Sequence, residues 1–570
     1  MVSALRFAVT LAAACFAAAP ALAHDDDCKD GRSLRLVNGR IHTMDKKDRV
    51  VSSVVIRNGR FVSVGDAGHG GGGDDDCSKT INLRGRTAVP GIIDNHNHII
   101  LLGLRPGYDT RLENASSIGE ALETLTARAA KVPVGEWITS IGGFHRNQFF
   151  PDPQPIRFPT LDELSKAVPA HPVFIMESFS GPGATNALGK SFFEANGVPV
   201  GADGSVDANA PSLQALFLLR QMQTREQMLR SLTDAMTYAA GVGVTTHLDQ
   251  GGFPSVGNNT DGAANFDRYR AYDSLRALYA DGKLTNRIWV NFLHMESDAA
   301  TPELRARLLN VFNDFGDDMV RVLGIGEFTG GGLFPIGEAW INGTRLVAQA
   351  QWRNENHTLG FNVAGTPDWK IIIDGWQQVQ NEELAAGRPG IANLRWVLAH
   401  IPFIDDVYLA RLKGLGGGAS VVGGWRWLTG TATQNGPPFK TILASGIPTG
   451  MSSDGMQISV MNPWINLYYV VTGKNARGQL INAGQTLDRK TALRLYTADN
   501  GWFLSAEDKM GTIEEGKFGD LVVVSGDYFD QKAVPDEKIK DLRSLLTVVN
   551  GRVVYDDLDG RNKDYWKAGF

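Results

Sequence analysis

An alternation of apolar strands and amphipathic helices between residues 90 and 504 constrains this chain more than any other feature of its sequence. Thr224 and Gln227 form a capping box that opens one helix, glycines end it, and Val244–Asp249 then has the pattern of a buried strand. Repeated over roughly 400 residues, such units predict a parallel α/β fold, for which a barrel is the most economical form. A bare barrel needs about 250 residues, so we expect a large insertion, at about 105–220.

Both ends of the chain differ in texture from this middle section. They carry short Val- and Ile-rich runs, and Asn-Gly pairs separate these runs at Asn38, Asn58 and Asn550. Asn-Gly between β-type runs is a strong hairpin signal. The two ends therefore predict one small β domain, built from residues 24–90 and 505–570, with the barrel between them at 91–504.

The first 23 residues have the pattern of a secretory signal peptide. Arg6 is their only charged residue, an apolar run follows at 7–19, and Ala21-Leu22-Ala23 offers a cleavage site before His24. The run is short for a membrane anchor, and a lipoprotein signal ending at Cys15 is the weaker alternative. The sequence therefore predicts an exported protein, periplasmic or secreted, from which residues 1–23 have been removed.

Composition narrows the range of partners. Hydrophobic residues make up 43% of the chain and charged residues 21%, which is ordinary for a folded soluble protein. The 56 basic and 62 acidic residues give a net charge of −6, whereas a nucleic-acid partner would require a basic face. We expect a small-molecule substrate, no nucleic acid and, after signal removal, no membrane, because no later segment has the roughly 18 apolar residues of a spanning helix. The sequence leaves open whether the protein forms a homo-oligomer.

Two cysteines, Cys28 and Cys77, remain after signal removal, and each follows three aspartates. The acidic runs could bind a hard cation such as calcium, although solvated loop ends are the simpler interpretation. An exported protein meets an oxidising compartment, which permits disulfides. We therefore predict a disulfide between Cys28 and Cys77.

The sharpest chemical signal is a single segment, Val89-Pro90-Gly91-Ile92-Ile93-Asp94-Asn95-His96-Asn97-His98. Residues at i and i+2 of a strand point to the same side, so His96 and His98 aim at one point. A barrel keeps its active site at the C-terminal ends of its strands, where this segment would place both rings. Two converging imidazoles are a metal-binding arrangement, and two unrelated polar residues in a turn are the plain alternative.

The chain resembles the amidohydrolase superfamily, in the branch of N-substituted formamide deformylase-like enzymes (amidohydrolase family 3). The supporting stretches span nearly the whole mature chain in a specific order. They are Asn58-Gly59-Arg60, the Pro-Gly-x-x-Asp-x-His-x-His segment, Gly243-Val244-Thr245-Thr246, Ser453-Asp454, and the segments 492–497, 511–523 and 549–555. The resemblance implies an α/β fold with a (β/α)8 TIM-type barrel, a small β-sandwich domain formed by both termini, and metal-assisted hydrolysis.

The resemblance also implies a set of metal ligands. His96 and His98 match the first-strand pair, and His400 matches the histidine that closes the sixth strand. Asp454 matches the eighth-strand aspartate, which binds metal and handles protons, and it is the expected catalytic residue. Relatives carry a carboxylated lysine or a glutamate at the end of the fourth strand. Glu327 stands there in this chain, with a salt-bridged edge residue as the alternative.

One strand departs from the family's pattern. We place the fifth strand at 359–364, so that Ala364 stands near the position where relatives have a histidine. His294 and His247 could compensate, although a histidine on an apolar strand is more often structural. His357 has no supporting context. The ligand set therefore predicts one tightly bound divalent metal ion, with Zn²⁺ the expected metal and any second site weak.

The expected function is that of an exported metal-dependent amidohydrolase. A metal-activated water would cleave a C–N bond, either an amide or an N-acyl bond, of a small organic substrate. His145 in the insertion, with Trp425 and Trp427 after the expected seventh strand, could line the pocket. Two alternatives stay open, a deaminase of the same fold and a non-catalytic binding protein on a barrel that has lost its site.

Overall fold

The computed structural model describes residues 33–65, 77–178, 180–251, 270–332, 337–360, 362–363, 365–455 and 458–560. The predicted signal peptide, Cys28 and Ala364 lie outside these ranges. Cys77 is disulfide-bonded, and its pairing with Cys28 stays a prediction because both other cysteines lie outside the described residues. Within the described ranges, no helix combines the length and the apolar character that crossing a bilayer requires.

Eight parallel strands form the central sheet. They are Ile92–Asn97 (β1), Val244–Asp249 (β2), Arg287–His294 (β3), Val320–Thr329 (β4), Arg353–His357 (β5), Val397–His400 (β6), Gly418–Val422 (β7) and Thr449–Ser452 (β8). The chain just after β8 returns to β1, where the Asp454 N–H donates to the His96 carbonyl at 2.9 Å. The predicted TIM-type barrel is confirmed.

The fifth strand lies elsewhere than predicted. β5 spans 353–357 and pairs with β4 and β6, whereas Asn362–Val363 forms a short antiparallel pair with Thr366–Pro367. Every residue of β5 is polar, in the order Arg-Asn-Glu-Asn-His. The placement at 359–364 was wrong because it relied on an apolar run, while β5 directs polar side chains into the buried polar interior of the barrel.

Helices connect the strands and share their apolar core. Leu232 and Met236 of one helix, and Ile372 and Trp376 of another, pack in the same buried cluster as Leu398 of β6. The α-helices are Ile99–Gly103, Ile118–Ala129, Leu161–Ala167, Ala187–Ala195, Ala210–Gln221, Arg225–Val242, Asp273–Ala280, Pro302–Asn310, Gly337–Gln349, Asp368–Ala385, Asp406–Gly414, Gly424–Thr429, Phe439–Ala444, Pro463–Thr472 and Arg489–Arg494. The predicted capping box at Thr224 is present, and Gly243 ends that helix with a φ of 94°.

The stretch of chain that connects β1 to β2 forms a separate layer. Its five-stranded sheet has the order Ser205–Val206, Gly183–Thr185, Val173–Met176, Ile138–Ile141, Tyr108–Asp109. Four of the helices flank it, and it has apolar clusters of its own, around Leu125 and around Phe193. This layer occupies the stretch in which the sequence predicts an insertion.

Strands from both ends of the chain form two further sheets. One has the order Arg60–Val64, Val54–Arg57, Ser33–Val37, Ser78–Asn82, and the other has the order Arg552–Asp556, Ser544–Val549, Leu521–Val524, Thr87–Pro90, Arg40–His42, Val50–Val51. They share one core, to which Leu36, Ile56, Val523 and Leu546 all belong. The shared core gives the sandwich that the resemblance implies.

The three Asn-Gly pairs have two different roles in this sandwich. Asn58-Gly59 and Asn550-Gly551 turn hairpins, with φ between 49° and 75°. Asn38 also has a positive φ of 56°, but the strands on its two sides belong to different sheets. The hairpin signal at Asn38 therefore marks a crossing from one sheet to the other.

Candidate metal centre

Four ionisable side chains converge at the C-terminal end of the barrel. They are His96 and His98 from β1, Glu327 from β4, and Asp454 just after β8. Their candidate ligand atoms all lie within 4.8 Å of one another, and each residue is at most 5% exposed. The residue types are those that hold zinc and similar divalent ions in proteins.

Two more histidines adjoin this group. His400, the last residue of β6, has its Nε2 3.4 Å from Asp454 Oδ2 and 3.3 Å from His96 Nε2. His357, the last residue of β5, has its Nδ1 3.0 Å from Glu327 Oε2. The His357 and His400 rings stack in parallel with their centroids 5.0 Å apart. The fifth-strand histidine that the sequence analysis considered missing is therefore His357.

The electrostatics of the centre suit a cation. Burial alone would lower the pKa of His98, but the carboxylates of Glu327 and Asp454 outweigh it and raise that pKa to about 10. Burial would raise the pKa of Glu327, yet the imidazoles of His357 and His98 hold it well below its usual range. Both shifts show ionised carboxylates that draw positive charge into a dry site.

Lone pairs remain for metal ions in this centre. Glu327 Oε2 and both ring nitrogens of His357 are buried, and none has an aligned hydrogen bond among the described residues. Burial lowers the pKa of His400 to about 3, so this imidazole is neutral, which is the form that ligates. The residues present therefore fit a divalent metal site.

Polar side chains from three other strands fix His96. Its Nδ1 lies 2.5 Å from Glu355 Oε1 on β5, which leaves Nε2 to face the centre. Gln250, just after β2, donates from Nε2 to Glu355 Oε2 at 2.9 Å, and Asn291 of β3 donates to Gln250 Oε1 at 3.0 Å. Such hydrogen bonds to a ligating histidine set its tautomer and ring orientation.

Asp249 fixes His98 indirectly. Its carboxylate accepts the Ile100 N–H at 2.9 Å and the Gly251 N–H at 2.8 Å. The Gly251 carbonyl in turn lies 3.0 Å from His98 Nδ1. Nε2 of His98 is thereby directed towards the centre, as for His96.

The backbone at the ends of β6 and β8 has an uncommon conformation. His400 has a φ of 69° and Asp454 a φ of 46°, a region that residues other than glycine rarely adopt. Asp94 on β1 holds the second of these bends, since its carboxylate accepts the Ser453 N–H at 2.9 Å and also the Ser453 hydroxyl. Strained backbone of this kind clusters at functional sites, where the surrounding structure fixes it.

The other candidate residues lie outside this centre. His247 Nδ1 accepts from Asn97 Nδ2 at 2.8 Å, and burial lowers its pKa to about 3. His294 forms a different group with Glu296 and Glu303. His145 faces Glu177 in the insertion, at 3.5 Å. Trp425 and Trp427 lie on the helix after β7, and Trp427 lines a cavity of about 410 Å³ beside the insertion.

Sequence reasoning missed His357 and Glu355. Both belong to β5, whose five polar residues resemble a loop when apolar runs are taken as the sign of a strand. Counting strand and helix units would have found it, because one strand must lie between the helices Gly337–Gln349 and Asp368–Ala385.

Comparison with known proteins agrees with this geometry. The model of the amidohydrolase family matches residues 79–555. The chain belongs to the amidohydrolase family. The N-substituted formamide deformylase of Arthrobacter pascens is 21% identical to this amidohydrolase over 560 residues, which cover 92% of this chain and 98% of the relative.

Solved structures share its fold. An uncharacterized metal-dependent hydrolase from Pyrococcus furiosus superposes with a TM-score of 0.56 at 20% identity, covering 87% of this chain and 100% of that chain. A variant of the atrazine chlorohydrolase TrzN from Arthrobacter aurescens TC1, complexed with zinc and atraton, gives a TM-score of 0.53 at 16% identity. That alignment covers 92% of this amidohydrolase and 96% of TrzN. The family and the buried ligand set make this chain a metal-dependent hydrolase of carbon–nitrogen bonds.

Proposed function

We propose that this amidohydrolase hydrolyses an amide or N-acyl bond of a small organic molecule. The observation that carries the proposal is the convergence of His96, His98, Glu327, His400 and Asp454 with His357 at the C-terminal end of the barrel. The deformylase relative, which matches over nearly its whole length, supports an amide as the substrate. We take zinc as the metal, because imidazole nitrogens and carboxylate oxygens suit it well.

The ligand set favours two metal ions. His96, His98 and Asp454 form one group of donors, and His357 and His400 form a second. Glu327 stands between them, since its Oε1 is 3.5 Å from His98 Nε2 and its Oε2 is 3.0 Å from His357 Nδ1. Two neighbouring cations repel and need a shared anion to coexist. Our expectation of one ion rested on a missing fifth-strand histidine, and His357 removes that premise.

The chain's own groups supply the proton transfers. When bound, the metal supplies Lewis acidity, which activates water and polarises a carbonyl. Asp454 accepts the proton that the attacking water loses and delivers it to the leaving nitrogen. The water oxygen bonds to the carbonyl carbon, and the carbon–nitrogen bond then breaks as the carbonyl re-forms, so one amide and one water give an acid and an amine. His96 and His98 hold fixed positions throughout, because Glu355 and Gly251 bind their Nδ1 atoms.

A turnover screen with metal analysis tests the proposal. The zinc-loaded protein is assayed for amine release on N-formyl and N-acetyl amines, and its metal content is measured after exhaustive dialysis. We expect turnover, about two retained equivalents of metal, and about one in His357→Ala. Arg345→Gln, which breaks a surface ion pair with Glu382, is the control and should match the unmodified protein in turnover and metal content. A folded protein without metal and turnover would instead favour a non-catalytic binding role.

Export is proposed on the sequence of the first 23 residues alone. Expression of the full chain in a Gram-negative host should place the protein in the periplasm, with a mature N-terminus at His24. N-terminal sequencing of the fractionated protein decides this. An intact Met1 in the cytoplasmic fraction would overturn it.

A further inference from the structure

A buried arginine lies at the same end of the barrel as the metal centre. Arg426 belongs to the helix Gly424–Thr429, which begins directly after β7. Its guanidinium carbon is 5.8 Å from the centroid of Phe403, which follows the metal-centre residue His400 by only three positions. A Cβ atom added at Gly424 would come within 2.5 Å of Ser459 Oγ, so this helix also packs on the segment after Asp454. Arg426 therefore lies among segments that leave the ends of β6, β7 and β8.

The environment of Arg426 is unusual for a cation. The residue is only 6% exposed, and its Nε has no hydrogen-bond partner among the described residues. No described carboxylate forms an ion pair with it. Two aromatic rings lie against it, with the Trp425 ring centroid 4.4 Å and the Phe403 ring centroid 5.8 Å from the guanidinium carbon. Burial lowers the pKa of Arg426, which reflects the cost of a charge held away from water.

Aromatic contacts alone do not supply hydrogen-bond acceptors for this guanidinium. A cation–π contact attracts the charge but accepts none of the five N–H donors of arginine. Buried charges in proteins are normally paired, because an unpaired one loses its hydration without compensation. At a rim beside a catalytic centre, a ligand that arrives with an anionic group would supply the missing partner.

Further arginines lie near this part of the rim, where the insertion meets the segment after β8. Asn147 Nδ2 donates to the Leu428 carbonyl at 2.9 Å, so the insertion contacts the helix that carries Arg426. Arg477 donates from Nε to Asn147 Oδ1 at 3.1 Å. Arg146, next to Asn147, lies 3.5 Å from the carboxylate of Glu177. The rim is thus locally basic in a chain whose net charge is −6.

We propose that the substrate carries a carboxylate, and that Arg426 is the residue that selects it. This inference rests on the proposed amide hydrolysis and adds a substrate class to it. The planar guanidinium fork suits a carboxylate through two parallel N–H···O bonds, and a flanking aromatic wall formed by Trp425 and Phe403 excludes water from the pair. Phe403 is 41% exposed, which leaves this rim open to an entering ligand.

A matched substrate pair tests the assignment. N-(4-carboxybenzyl)formamide and N-(4-methylbenzyl)formamide differ only in the anionic group, and N-formyl-6-aminohexanoate with N-formylhexylamine repeats the comparison on a longer, flexible chain. We expect higher kcat/KM for the carboxylates in the unmodified protein. Arg426→Gln should lower kcat/KM for the carboxylates roughly 10- to 150-fold and change that for the neutral amides less than about 3-fold. Arg426→Lys should restore part of the loss. Arg345→Gln should leave kcat/KM unchanged for both the carboxylates and the neutral amides.

A binding measurement keeps this test separate from turnover. Calorimetric titration of the metal-loaded Asp454→Asn variant with the same compounds reports affinity without consuming them. A carboxylate preference that disappears when Arg426→Gln is added supports the inference even where no amide is hydrolysed, in which case only the proposed function fails. Equal affinity for both members of each pair, or a carboxylate preference that survives Arg426→Gln, overturns the inference and leaves the hydrolase proposal intact.

Discussion

The two ends of the barrel bury charge in opposite ways. At the N-terminal end, Arg287 of β3 donates from Nε and Nη2 to both carboxylate oxygens of Asp520, at 2.7 and 3.0 Å. Phe518 covers the guanidinium at 3.9 Å, and the Asn550 N–H also donates to Asp520. Both charges of this pair have their partners within the protein, and the pair joins the terminal sandwich to the barrel.

At the C-terminal end, charge is assembled without such balance. Carboxylates raise the pKa of His98 while burial lowers the pKa of His400, and the backbone at His400 and Asp454 is strained. The comparison separates a structural cluster from a functional one. The first completes its own hydrogen bonding, whereas the second leaves lone pairs that are available to a cation.

The largest effect is expected from Asp454→Asn. An amide cannot accept the proton of the attacking water, so kcat should fall roughly 10²- to 10⁴-fold while the fold is retained. Circular dichroism and turnover measured together check this. Asp374→Asn, at an exposed ion pair with Arg411, is the matched control and should keep the full rate. A folded Asp454→Asn variant with near-normal kcat would reject the assignment.

Removing the ion pair at the N-terminal end of the barrel should lower stability without changing the metal centre. Arg287→Met leaves the buried Asp520 without its counter-ion, which should lower the free energy of unfolding by about 3–5 kcal/mol. The double variant Arg287→Met with Asp520→Leu should recover most of that loss, because no unpaired charge remains. Denaturant unfolding measures both, and metal content per folded chain should stay unchanged. Loss of metal in the single variant would show that the two ends are coupled.

Glu177 in the insertion shows how a buried carboxylate behaves without enough positive charge. Burial raises its pKa to about 7, against the lowered pKa of Glu327. Because the folded pKa is raised, the protonated form contributes stability at low pH that is lost as pH rises through about 7. The free energy of unfolding of Glu177→Gln should therefore rise relative to that of the unmodified protein as the pH increases from about 4.5 to 8, by on the order of 3 kcal/mol. Denaturant unfolding at several pH values measures this difference. A difference between the two proteins that stays constant from pH about 4.5 to about 8 would contradict the prediction.

The smallest effect is expected from Glu355→Gln. The substitution keeps a hydrogen-bonding group beside His96 Nδ1 but removes the negative charge that strengthens the imidazole as a ligand. Metal affinity should weaken roughly 10- to 100-fold with little change in the midpoint of unfolding of the metal-free protein. Competition with a chelator measures the affinity. Glu382→Gln, on the outer surface, should match the unmodified protein.

Much of the architecture is written locally along the chain. Helix caps such as Thr224, the turns at Asn58 and Asn550, and the His-x-His of β1 depend on neighbours a few residues away, so the sequence alone predicts them. The five residues taken as metal ligands are likewise brought to one place by strand ends that the sequence marks. Local pattern and global fold agree at these positions.

Tertiary structure decided what local patterns cannot encode. β5 is a strand because its backbone pairs with β4 and β6, and its polar residues face a polar interior supplied by other strands, such as Gln250 and Asn291. His357 and Glu355 gained their roles only through that placement. Arg426 is an ordinary residue in the sequence, and its significance comes from the absence of a described counter-ion across three strand ends. Pairing and burial are properties of contacts between distant segments, which is why the fold had to be known before these residues could be recognised.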